Sequence, residues 1–123
     1  MIDTRILFDA RSRGVWRLLL ATGLATASWL AFTPVDAPDA IEHLDKVHHM
    51  AAFTSLALAA SFSWPSRPRT TAFITAGLMA YGLFIELVQT QLPTRSGSAA
   101  DWLADALGVA AGLLLARALR ARG

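Results

Sequence analysis

Residues 70–93 read "TTAFITAGLMAYGLFIELVQTQLP", and from 70 to 92 the one charged side chain is Glu86, with Pro93 closing the run. At a rise of about 1.5 Å per residue, an uninterrupted helix of this length crosses a hydrocarbon core of about 30 Å. The stretch predicts a transmembrane helix that carries one carboxyl near its end. Glu86 lies seven positions before Pro93, roughly 10 Å down the helix axis, a depth at which a carboxyl must face protein and find a partner.

Working outward, three more apolar runs share that length. The first covers 15–32 and is closed by "TPVDAPD" at 33–39; the second covers 47–64 and stops at "PSRPR" at 65–69; the fourth covers 99–119. The chain is 54% hydrophobic over 123 residues, too apolar for an ordinary small soluble domain. The predicted fold is an all-α integral membrane protein: one domain over 1–123, four transmembrane helices in an antiparallel bundle with short loops. A secretory signal is the competing reading of the first run, with "ATA" at 25–27 as its cleavage site, but the apolar run continues through Trp29, Leu30 and Phe32 and favours an uncleaved helix.

Eleven Lys and Arg against nine acids leave a net charge of +2, which by itself implies no nucleic-acid partner. Placement says more than total. Arg5, Arg11, Arg13, Arg17, Arg67, Arg69, Arg117, Arg120 and Arg122 fall on one side of the predicted bundle, and Lys46 and Arg95 on the other. The positive-inside rule then predicts a multi-pass membrane protein with both termini cytoplasmic. Trp16 and Trp64 at inner ends and Trp29 and Trp102 at outer ends agree with interfacial anchoring. With no cysteine, the chain has no disulfide, thiolate ligand or thiol nucleophile.

The outward ends of three helices carry the remaining polar groups. Asp45 and His49 are four apart, Glu86 and Gln89 three apart, and Asp101 and Asp105 four apart, so each pair shares one helical face. The connection "TRSGS" at 94–98 adds Arg95, Ser96 and Ser98 to that end. His48 lies about 100° around the helix from His49 and reads as an interfacial side chain. Ala104, Gly108, Gly112 and Ala116 form a small-residue stripe below Asp101 and Asp105, the signature of close helix packing.

The blocks "DKVHHMAAF" at 45–53 and "YGLFIELVQTQLPTRSGSAADWLADALG" at 81–108 resemble the VanZ-like family of small bacterial membrane proteins. Asp45, Lys46, His49, Phe53, Glu86, Gln89, Pro93, Arg95 and Asp101 match the family's recurring pattern, whereas Asp105 stands where that pattern usually has Asn. The resemblance implies a cell-envelope protein. The family's namesake is associated with tolerance of teicoplanin, and the resemblance brings no settled activity with it.

The residues themselves allow two functions. In one, Asp45, Lys46, His49, Glu86, Gln89, Arg95, Asp101 and Asp105 bind, or help to process, an anionic lipid or envelope-precursor headgroup. Lys46 and Arg95 would hold phosphate, the acids would orient those cations, and His49, Glu86 and Asp101 are the catalytic candidates. In the other, the same residues are a structural ionic lock in a noncatalytic envelope or assembly factor. No cofactor is expected; His49 with Glu86, Asp101 and Asp105 offers ligands for a divalent ion, but no tight ligand motif supports one. Ser96 or Ser98 with His49 lacks the nucleophile-elbow grammar of a serine hydrolase.

Overall fold

The computed structural model describes residues 3–33, 42–92 and 97–123, with the side chains of 42–44 excepted. Two short 3-10 turns, Thr4–Phe8 and Ala10–Ser12, lead into four helices: α1 (Arg13–Phe32), α2 (Glu42–Ser63), α3 (Pro68–Gln89) and α4 (Ala99–Arg122). No strand occurs among the described residues. Pro68 takes the first position of α3, where a missing N–H costs nothing. Ser98 caps α4 by accepting the Asp101 amide at 3.1 Å, in a Ser-x-x-acid arrangement.

Three helical stretches, Ala10–Phe32, Pro68–Gln89 and Ala99–Arg122, are long and apolar enough to cross a membrane. The second expected span, at 47–64, corrects to a different kind of helix, so three spans stand where four were expected. α2 starts at Glu42 and includes Lys46, His48, His49 and several hydroxyl residues, which lower its apolarity. Its interior position accounts for that composition. Phe53, Leu56, Ala57, Ala59, Ala60 and Phe62 are all buried in protein. The hydroxyls of Thr54, Ser55, Ser61 and Ser63 donate to the carbonyls four residues back, so their polarity is satisfied within the helix.

The outside of the bundle is apolar. No residue of α1 is buried, and Leu18, Trp29, Phe73 and Leu114 are each at least 66% exposed. A surface this greasy matches lipid rather than water.

Consecutive helices run antiparallel. Arg17 meets Ser63 while Gly23 meets Leu56, and Trp102 meets Met79 while Ser98 meets Glu86. The most extensive contact, however, joins α2 to α4, and these two run parallel. Lys46 lies against Asp101, His49 against Asp105, Gly108 against Met50, and Gly112 against Thr54. The small stripe of α4 therefore packs on α2. Phe53, Leu56, Ala57, Leu78, Ile85 and Val109 form the core around that seam.

The two ends of the bundle differ in chemistry. At one end, the last turn of α2 has no basic residue of its own, and arginines from other helices supply it. Arg17 donates to the Ser63 carbonyl at 3.1 Å and lies over Trp64, while Arg120 donates to the Ser61 carbonyl and lies over Phe62. These two cations satisfy carbonyls at the negative end of the helix dipole. The chain's two ends meet here as well, since Arg5 Nε donates to the Gly123 carbonyl at 3.1 Å. Asp45, Glu86, Asp101, Asp105 and His49 gather at the opposite end.

Candidate functional site

The polar end is built on three helices whose registers bring one face of each together. His49, on the second turn of α2, carries its ring between the other two. Its Nδ1 stands 2.8 Å from Asp105 Oδ1 and 3.7 Å from Glu86 Oε1, and its Nε2 lies 3.8 Å from Asp45 Oδ2. One turn nearer the helix start, Lys46 Nζ pairs with Asp101 Oδ1 at 3.3 Å. Asp101 sits in the first turn of α4, where the positive end of the helix dipole favours a carboxylate.

Burial here is deep for charged groups. Glu86 is 5% exposed, Asp101 4% and Asp105 0%. Glu86 Oε2 accepts the Ser98 amide at 2.9 Å, which ties the end of α3 to the cap of α4. Asp105 fits because residue 82 has no side chain: a Cβ on Gly82 would stand 2.8 Å from Asp105 Oδ2. Gly97 is under a similar constraint, since a Cβ there would run into the Glu86 carbonyl. Small residues thus make the space that the carboxylates occupy.

A family model described as VanZ/LLP1 matches residues 7–120, which takes in α1, α2, α3, nearly all of α4 and every residue of this cluster. The chain belongs to the VanZ/LLP1 family. No curated protein and no solved structure matches it. Family membership and three helices apolar enough to span a bilayer together point to a membrane protein.

Of the residues singled out by sequence, the structure brings Asp45, Lys46, His49, Glu86, Asp101 and Asp105 into one cluster. Gln89 is buried nearby, and its side-chain amide donates to the Ala31 carbonyl at 3.1 Å, so it fastens α3 to the end of α1. Arg95, together with Pro93 and Ser96, lies outside the described residues. His48 is exposed, one position away from the half-buried His49. Asp105, the departure from the family's usual Asn, proves to be the partner of His49.

Ser98 was grouped with this end by sequence but not placed among the binding residues. Its backbone N–H holds Glu86 and its hydroxyl holds the Asp101 amide. The Ser-x-x-Asp spacing before an apolar run is the signal that marks such a cap. Gly82 was missed altogether, because its importance comes from Asp105 on another helix.

Chemically, the arrangement can do two things. An imidazole with one nitrogen on a carboxylate is oriented, and its other nitrogen is available to a ligand or a proton. Lys46, with a side chain 32% exposed, presents an ammonium that a ligand arriving from outside the bundle can reach.

Proposed function

We propose that this VanZ-like protein resides in the bacterial cytoplasmic membrane as an envelope component, and that its polar end binds an anionic lipid or envelope-precursor headgroup. The observation that carries this reading is Lys46, held by Asp101 at the edge of a buried cluster while a third of its side chain stays accessible. A phosphate would take the ammonium as a point-charge partner, with Arg95 as a second, bidentate one. Asp101 orients Lys46, and in this reading Asp45 and Glu86 would help to orient the cations. If the headgroup is processed as well as bound, His49 is the group placed to move a proton, with Glu86 and Asp101 as the other candidates.

The test is direct binding of purified protein to vesicles containing phosphatidylglycerol against vesicles of phosphatidylcholine alone. Losing one charge-assisted contact is worth about 1.5–3 kcal/mol, so Lys46→Ala and Arg95→Ala should each weaken binding to the anionic vesicles by about tenfold or more while the proteins stay folded. The second reading, a structural lock, is favoured by the pairing of Lys46 with Asp101 and of His49 with Asp105. It predicts unchanged vesicle binding and lowered thermal stability in Lys46→Ala.

The orientation belongs to the same proposal, with the arginine-rich end cytoplasmic. Single cysteines replacing Pro38, Ser66 and Ser96 in turn, labelled in intact cells with an impermeant thiol reagent, should react at 38 and 96 and stay protected at 66. Labelling at 66 alone would invert the assignment.

A further inference from the structure

Among the described residues, Asp45, Glu86, Asp101 and Asp105 share the polar end with Lys46 and His49. Lys46 is engaged by Asp101. Besides the partly exposed Asp45, His49 has beside it two carboxylates that are more than nine-tenths buried; Glu86 Oε1, which faces the imidazole, has no hydrogen-bond partner, and neither has Asp105 Oδ2 on the Gly82 side. Buried, unpaired carboxylate oxygens are rare unless something else completes them. An imidazole alone cannot balance both.

The donor atoms of His49, Glu86 and Asp105 all lie within 4.8 Å of one another. His49 Nδ1 is 2.8 Å from Asp105 Oδ1 and 3.7 Å from Glu86 Oε1. Ligands bound at about 2.1 Å to a tetrahedral or octahedral ion sit about 3.0–3.4 Å apart along an edge, so the two separations bracket what a single ion requires. We propose that His49, Glu86 and Asp105 form a binding site for one first-row divalent cation, with Zn2+ as the representative ion.

An imidazole nitrogen beside two carboxylates suits such an ion better than Mg2+ or Ca2+, which favour oxygen alone. Two carboxylates against a divalent charge leave the site neutral, which suits a low-dielectric interior. With Nδ1 on the metal, the Nε2–H of His49 faces Asp45 and takes it as an outer partner, a common arrangement for metal-bound histidine. A second donor set, Asp45, His49 and Asp101, is also close enough to hold an ion, but the Lys46 ammonium on Asp101 opposes a cation there. Three protein ligands leave a position open for water or an oxyanion. The site stands without the lipid reading, and its test contains no headgroup.

The experiment uses tag-free, full-length protein in detergent, stripped with a chelator and titrated with Zn2+ by calorimetry, with bound metal quantified afterwards. Uptake of about one ion per chain and a raised Tm on loading are expected. His49→Gln, Glu86→Gln and Asp105→Asn should each weaken uptake by at least tenfold, and Asp45→Asn by about tenfold as an outer partner, whereas His48→Gln should leave it unchanged. Should one of these variants fail to fold, Co2+ loaded into the unmodified protein is examined by X-ray absorption for a single imidazole ligand. Substoichiometric uptake, uptake indifferent to all three ligand substitutions, or bound Co2+ without an imidazole would each overturn the site.

Discussion

Replacing Gly108 and Gly112 together with alanine is expected to lower the Tm of the detergent-solubilised protein by about 10 °C or more. A Cβ at Gly108 would stand 2.6 Å from the Met50 carbonyl oxygen and 3.0 Å from the Phe53 Cβ. At Gly112 it would stand 2.5 Å from the Thr54 carbonyl and 2.7 Å from the Ala57 Cβ. The obstructing atoms are mostly backbone and β-carbons, which cannot swing aside, so α2 and α4 must separate. Overpacking of this kind costs about 1–3 kcal/mol per site, and in a chain of this size each kcal/mol moves Tm by about 4 °C. Gly77→Ala is the internal control. Nothing lies within 4 Å of its Cβ position, so the better helix propensity of alanine should leave stability equal or slightly higher. If the double variant melts like the unmodified protein, the close parallel packing of α2 on α4 is wrong.

The largest single-residue effect is expected for His49→Ala. His49 is the one basic group directly beside Asp105 and Glu86 among the described residues, and its removal leaves two buried carboxylates facing each other. Deleting one partner of a buried pair costs about 3–5 kcal/mol because the other charge is left uncompensated. Asp105→Ala should cost less than His49→Ala, since Asp45 and Glu86 remain near the imidazole. The double replacement should cost less than the sum, by about 0.5–3 kcal/mol, as expected for groups in contact. Strict additivity in thermal or denaturant unfolding would mean that the two side chains do not meet. Repeating the cycle with vesicle binding as readout separates the two proposed functions: coupling confined to stability marks a lock, and coupling in binding marks a site.

The importance of Asp105 also bears on the departure from the usual family pattern. An Asn at this position could still accept a hydrogen bond from His49, but it would carry no charge. The aspartate makes the centre of the cluster more acidic in this chain, and Gly82 leaves it the room.

Much of the fold was legible in the residues alone. Apolar run length and proline or arginine stops located four helices, because both are local properties of a chain that must satisfy its own backbone in lipid. The i, i+4 spacings of Asp45 with His49 and of Asp101 with Asp105 put each pair on one face, because the helical period is local too. The small-residue stripe on α4 announced a close contact.

Which helix receives that contact, and who pairs with whom, were not in those local signals. The sequence says that Glu86 needs a partner at its depth but not which one; its Oε2 accepts the Ser98 amide. Gln89, weighed as a ligand contact, is engaged by the Ala31 carbonyl. α2 reads as a membrane span by position, yet it is the one of the four long helices not apolar enough to cross a membrane, and it is wrapped by its neighbours and back-bonds its own hydroxyls. By itself the sequence determined that there are four long helices, roughly where each lies, and which polar residues share a face, since those follow from backbone geometry and the 3.6-residue period. Only the tertiary structure decided that α2 and α4 lie parallel and that His49 meets Asp105, because the register between helices is set by how Gly108 and Gly112 seat against Met50, Phe53 and Thr54, residues more than fifty positions away.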